Sequence, residues 1–205
     1  MEFVMNLEAT LGISVEERSD IVNKMASYYK EILRLGQSIG IENVLEKAKL
    51  KEVIMGDVLN HRVYTKSTGE KKGVDAVDES TGELYEYKTS TLKNEKETKR
   101  FLESIVDGTK TYQKTMVYNN GYSRENVDEY KNINHLHAMF SHDGTLLSIV
   151  HVETDFVVES LMVRVENIEN GNKKYKSTNG NSVPVRYQNG GAKESKVLYL
   201  NDTRK

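Results

Sequence analysis

Asp75, Glu86 and Lys88 are the residues whose types and spacing point to chemistry at a phosphate. They lie in residues 73–90, G-V-D-A-V-D-E-S-T-G-E-L-Y-E-Y-K-T-S, where two alternating apolar/polar runs flank Glu79-Ser80-Thr81-Gly82. That pattern predicts a hairpin closed by a four-residue loop. If Asp78 pairs with Glu83, the register continues through 77–84 and 76–85 to 75–86. Asp75 then faces Glu86 with Cβ atoms about 5 Å apart, and Lys88 falls on the same face, two residues on. Two facing carboxylates repel, so a plain hairpin would be weakened by them. A divalent cation removes that cost, because Mg²⁺ is held by one or two carboxylates together with waters and phosphate oxygens. A lysine beside such an ion can steady a phosphate. The competing reading is a solvated surface hairpin, and a one-residue slip in register would turn Glu86 to the other face.

The pattern resembles the motif of the PD-(D/E)XK nuclease superfamily: Asp, a short loop, then Glu-x-Lys. More narrowly, G-V-D-A-V-D-(loop)-Y-E-Y-K is similar to the corresponding segment of Type II restriction endonucleases of the PvuII-like group. Upstream, Gly40-Ile41-Glu42-Asn43-Val44-Leu45 is similar to that group's G-I-N-D-I-F, and downstream Val183-Pro184-Val185-Arg186-Tyr187 is similar to its I-P-V-K-Y. These landmarks keep their order over about 40–205, with unmatched stretches between them. Lys72 stands where the group's pattern carries an acid.

The resemblance implies an α/β (α+β) fold: a mixed sheet flanked by helices, with N-terminal helices for dimerisation. It implies catalytic roles for Asp75, Glu86 and Lys88, one or two Mg²⁺ per subunit held by Asp75 and Glu86, and a homodimer that cuts both strands of a short palindromic site in double-stranded DNA. Glu52, in a predicted helix, is a candidate further carboxylate, against the plainer reading of a charged helix surface. The group presents histidines to its DNA bases. The matching position here falls near Tyr118-Asn119-Asn120-Gly121-Tyr122, so Asn119 and Asn120 become candidate readers, since Asn pairs with adenine in the major groove. N-N-G is equally a turn signal. A second candidate DNA-binding segment is Asn179, Asn181 and Ser182, with Arg186 beyond it. The expected target therefore differs from the group's, with an A·T pair where that site has G·C.

Two other classes stay open at this point. A structure-specific or repair nuclease shares the superfamily core, and a non-enzymatic DNA-binding protein would not need the Asp75/Glu86/Lys88 set.

Composition agrees with a single domain in a chain of 205 residues. The expected division is a helical dimerisation region over about 1–55, a catalytic core over 56–160 and a basic DNA-contacting part over 161–205. Cysteine is absent, which excludes disulfides and Cys-based zinc sites and suits a cytoplasmic protein. No signal peptide or membrane span is apparent, and no membrane partner is expected. The net charge of −2 argues against indiscriminate nucleic-acid binding, yet residues 160–205 hold nine Lys and Arg against four acids. His135, His137, His142 and His151 cluster in sequence, but no acid at matched spacing supports a zinc site.

Among the elements, Ser14 and Glu17 form a capping box that opens a helix over 14–36. Its apolar stripe is Ile21, Val22, Met25, Tyr28, Tyr29, Ile32 and Leu33. A core-facing role for that stripe is the alternative to dimerisation. A second helix is expected over 42–55, strands over 58–65 and 74–90, and a hairpin pairing 136–140 with 145–152. Residues 93–134 are polar and poorly patterned, with short helices near 100–106 and 123–130. Asp155 is expected to cap a helix to about 168, followed by strands over 183–188 and 196–200.

Overall fold

The computed structural model describes residues 14–41, 48–64, 74–108, 111–119, 123–171, 181–188 and 194–204. The chain forms two compact units, residues 1–50 and 51–205. The first contains helix α1 (Val15–Ser38), and the capping box is present: Ser14 Oγ accepts from the Glu17 N–H at 3.1 Å and Glu17 Oε2 accepts from the Ser14 N–H at 2.9 Å. Much of the stripe is exposed, Met25 at 64% and Tyr28 at 68%, with Ile32 and Leu33 half-buried.

The second unit is built on β1 (Arg62–Val63), β2 (Ala76–Val77), β3 (Leu84–Thr91), β4 (Tyr112–Tyr118), β5 (Asn134–Phe140), β6 (Leu146–Val152), β7 (Asn181–Tyr187) and β8 (Ser195–Leu200). Six of them form a sheet in the order β1-β2-β3-β5-β6-β8, in which only β3 and β5 run parallel. β4 and β7 pair separately as an antiparallel ribbon. The helices are α2 (Lys49–Leu59), α3 (Glu95–Asp107), α4 (Arg124–Asp128), extended by a 3₁₀ turn over Glu129–Asn132, and α5 (Thr154–Glu169). The architecture is thus mixed α/β with a mostly antiparallel sheet flanked by helices, as the sequence predicts at that level.

Two apolar clusters fill the two faces. Met55 of α2 packs with Tyr85, Tyr87, Leu136, Ala138, Phe140 and Ile149. On the other face Phe101, Leu102 and Ile105 of α3 and Val157, Leu161 and Val165 of α5 meet Met139, Val150 and the ribbon's Met116, Tyr118, Val185 and Tyr187. β5 and β6 are covered on both faces, which explains their nearly unbroken apolar runs. Burying one such side chain contributes about 1.5–3 kcal/mol.

Three expectations are corrected. Residues 58 and 59 belong to α2, and the strand expected over 58–65 is reduced, among the described residues, to Arg62–Val63. Gly56 permits this, because a Cβ there would sit 2.3 Å from Val63 Cγ2. Asp155 lies in the first turn of α5, and the N-cap is Glu153. The poorly patterned stretch contains a full strand, β4. The start of the expected second helix, 42–47, lies outside the described residues.

Candidate active site

The hairpin forms in the predicted register, with Ala76 opposite Tyr85 and Val77 opposite Leu84. Its loop is closed by the Asp78 N–H donating to Glu83 O at 3.0 Å, while Asp78 Oδ1 accepts from the Ser80 N–H at 2.8 Å. Gly82 takes φ +75°, a conformation that glycine adopts without strain. Beyond Ala76 the ladder departs from the simple expectation. The Asp75 N–H donates to Tyr85 O at 2.8 Å, so Asp75 is not the ladder partner of Glu86. Instead its side chain reaches across, and Asp75 Oδ2 accepts from the Tyr87 N–H at 2.8 Å. The Asp75 carboxyl group still lies near enough to Glu86 to help raise its pKa.

Glu86 and Lys88 sit on the β3 face opposite Tyr85 and Tyr87, beside His135 and His137 of β5 in the parallel ladder. Glu86 is 4% exposed and Lys88 donates to its Oε1. Burial pushes the Glu86 carboxyl up to about 8, against the pull of Lys88 and with a further push from Asp75. Burial also works against the Lys88 charge, but Glu86 and Asp75, with Glu52 adding to them, outweigh it and raise its pKa. Lys88 is therefore an ammonium held beside the Glu86, Asp75 and Glu52 carboxyl groups. Glu52, half-buried in α2, belongs electrostatically to this group.

No family model matches the chain, and no curated protein matches it.

The donor chemistry fits a hard divalent cation. Asp75 has Oδ1 beyond the oxygen that holds the Tyr87 N–H, and Glu86 has Oε2 beyond the oxygen on Lys88. Both are hard oxygen donors next to a cationic side chain, a combination that suits a metal-bound phosphate. The histidines do not compete as ligands. His135 faces the Tyr118 hydroxyl at 3.0 Å and Tyr130 O at 3.2 Å, and His137 contacts the Tyr187 hydroxyl and Ser90 Oγ. Among the described residues no three His, Cys, Asp or Glu converge as a metal cluster.

The two segments expected to read DNA come together. Tyr118 is opposite Asn181 and Val117 opposite Ser182 in the β4–β7 ladder, so exposed Asn119 adjoins the start of β7. The ribbon buries Tyr112, Met116 and Tyr118 with Val183, Val185 and Tyr187, and turns Gln113, Thr115, Val117, Ser182 and Arg186 outward. Asn181 is a correction. It is 1% exposed and its Nδ2 donates to Leu161 O at 2.8 Å, anchoring β7 to α5 where no base can reach it. Arg186 is on the outer face but is ion-paired with Glu194 at 2.6 Å. Asn120 and Asn179 lie outside the described residues. Sequence reasoning missed Gln113 and Thr115. Their signal was the period-two pattern of Y-Q-K-T-M-V-Y, hidden by Lys114 on the inner side.

Among the described residues no helix is long and apolar enough to cross a membrane.

Proposed function

We propose that this chain is a Mg²⁺-dependent endonuclease of the PD-(D/E)XK type, acting as a Type II restriction enzyme on double-stranded DNA. The observation that carries the reading is the convergence of Asp75, Glu86 and Lys88, with the lysine held charged beside the buried Glu86 and the half-buried Asp75. A surface hairpin has no use for a buried Glu86, whose desolvation as a charged group costs several kcal/mol.

Asp75 and Glu86 would hold the ion, which when bound supplies Lewis-acid polarisation and a water of lowered pKa. Lys88 Nζ donates to a non-bridging phosphate oxygen and offsets the charge that grows there as the phosphodiester is attacked. The Tyr87 N–H keeps the Asp75 carboxylate in place while Lys88 does the same for Glu86, so neither carboxylate must reorganise during the reaction.

The ribbon's polar outer face supports DNA contact, because the major groove admits a two-stranded β-ribbon. Its candidate readers are Asn119, Ser182, Gln113 and Thr115, with Arg186 reaching phosphate once released from Glu194. The exposed apolar stripe of α1 supports a homodimer, since a second copy would cover it. Digestion of a plasmid with Mg²⁺ tests the whole reading. Discrete fragments that vanish in Lys88→Ala are expected, whereas a smear, or cutting confined to branched DNA, would favour a structure-specific nuclease of the same superfamily.

A further inference from the structure

Glu86 alone does not fix the Lys88 ammonium in three dimensions. The lysine side chain has a flexible four-carbon stem and ends in a point charge, without the planar fork that orients an arginine. A second contact is present. Lys88 Nζ lies over the ring of Tyr118, 5.1 Å from its centroid, within the range of a cation–π contact. Tyr118 is fully buried and is itself held from two sides. Its ring meets Tyr130 edge-on at 5.0 Å, and its hydroxyl meets His135 Nδ1 at 3.0 Å.

The proton positions in this chain follow from the acceptors. His135 Nε2 faces Tyr130 O at 3.2 Å, and a carbonyl can only accept, so Nε2 carries the proton. Burial pushes the His135 pKa down to about 4, which leaves the ring neutral and Nδ1 an acceptor. The Tyr118 hydroxyl therefore donates to Nδ1 and is turned to His135. Burial and the neighbouring Glu86 raise the Tyr118 pKa, so the ring stays a neutral phenol. What it offers Lys88 is its π face.

We infer that Tyr118 is a positioning residue whose ring is the platform fixing the Lys88 ammonium beside Glu86 and Asp75, itself locked by His135 and Tyr130. Tyr118 also ends β4 and pairs with Asn181 of β7, so the ribbon and the carboxylate strand meet at this ring. The effect on rate rests on the nuclease reading above, whereas the order of the lysine side chain does not.

The test combines variants at position 118 with two readouts: the NMR order parameter of the Lys88 Cε methylene, and the single-turnover cleavage rate at saturating DNA. Tyr118→Phe keeps the ring and its edge-on contact with Tyr130 but loses the bond to His135. The Lys88 order should therefore fall far less than in Tyr118→Leu, and the rate should stay within threefold of the parent. Tyr118→Leu should lower the Lys88 order and slow cleavage at least tenfold, with the DNA Kd within twofold, and should add nothing further to Lys88→Ala. Phenylalanines carrying one, two and three ring fluorines keep the volume while weakening the π face, so they serve if the leucine variant does not fold. Order and rate should fall stepwise along that series. A Lys88 side chain equally ordered in Tyr118→Leu, or unchanged across the fluorine series, overturns the inference. If the parent protein cuts no DNA, the nuclease reading fails and the order measurements alone decide the role of Tyr118.

Discussion

The Asp75 carboxylate accepts the backbone N–H of Tyr87 at 2.8 Å, tying the residue before the hairpin to the midpoint between Glu86 and Lys88. That bond gives Asp75 a structural duty besides any metal-binding one, and the two are separable by substitution. Asp75→Asn keeps an oxygen acceptor for Tyr87, so its stability should stay within about 0.5 kcal/mol of the parent. Asp75→Ala should lose about 1–2 kcal/mol, because the N–H loses its partner. Both should lose cleavage. Urea unfolding and plasmid digestion on the same preparations check the split.

Glu86 and Lys88 should behave as a unit. Deleting one of two facing carboxylates relieves repulsion, but Glu86 is also the partner of Lys88. Glu86→Ala leaves a half-buried ammonium with only Asp75 and Glu52 near it and should destabilise the protein by about 1–3 kcal/mol. The double variant Glu86→Gln/Lys88→Met removes both charges and should be the more stable of the two. A thermodynamic cycle that finds the two positions independent would mean that the ion pair does not hold in solution.

Acid should weaken the fold through His135 and His137. Both are fully buried, and burial lowers their pKa values to about 4 and about 3. The unfolded chain binds these protons near pH 6.5 and the folded chain does not, so stability is full above that pH and falls as the pH drops toward 4. Each residue should contribute on the order of 2–3 kcal/mol to the loss. Glu86, raised to about 8, adds stability as the pH falls over the same range. The histidine contribution is therefore read by comparison: from pH 7.5 to 4.5 the urea midpoint of His137→Phe should lose less, or gain more, than that of the parent.

The stripe of α1 should mediate dimerisation. Met25 and Tyr28 are the most exposed of its members, and Leu33 is half-buried. Met25→Asp or Leu33→Asp should give a folded monomer that nicks single strands and makes few double-strand breaks. Light scattering on the free and DNA-bound parent decides the matter, since a monomer in both states would remove the symmetric mechanism.

Local signals made the hairpin, the capping box and the β5–β6 pair legible in the sequence. Alternation on both sides of Glu79-Ser80-Thr81-Gly82 fixes a register, and Ser14 with Glu17 fixes a helix start. The departure at Asp75 was not legible, because it arises where its side chain bonds the Tyr87 N–H and the ladder is interrupted. β4 escaped for a related reason. Gln113, Lys114 and Thr115 make it polar, and only its pairing with β7 and the core under Tyr112, Met116 and Tyr118 make it a strand. Asn181 looked like a loop residue before V-P-V-R-Y. Its burial follows from the inward side of the ribbon and the acceptor that Leu161 provides, and neither is visible along the chain.

Quantitative cleavage of a mixed-sequence plasmid by the parent and by Lys88→Ala, with Mg²⁺ and with EDTA, tests the central claim most directly. The account predicts reproducible discrete fragments from the parent with Mg²⁺, none in EDTA, and at least a hundredfold slower cutting by Lys88→Ala that still binds DNA. Fragments formed in EDTA, or a Lys88→Ala variant that cuts like the parent, would contradict it.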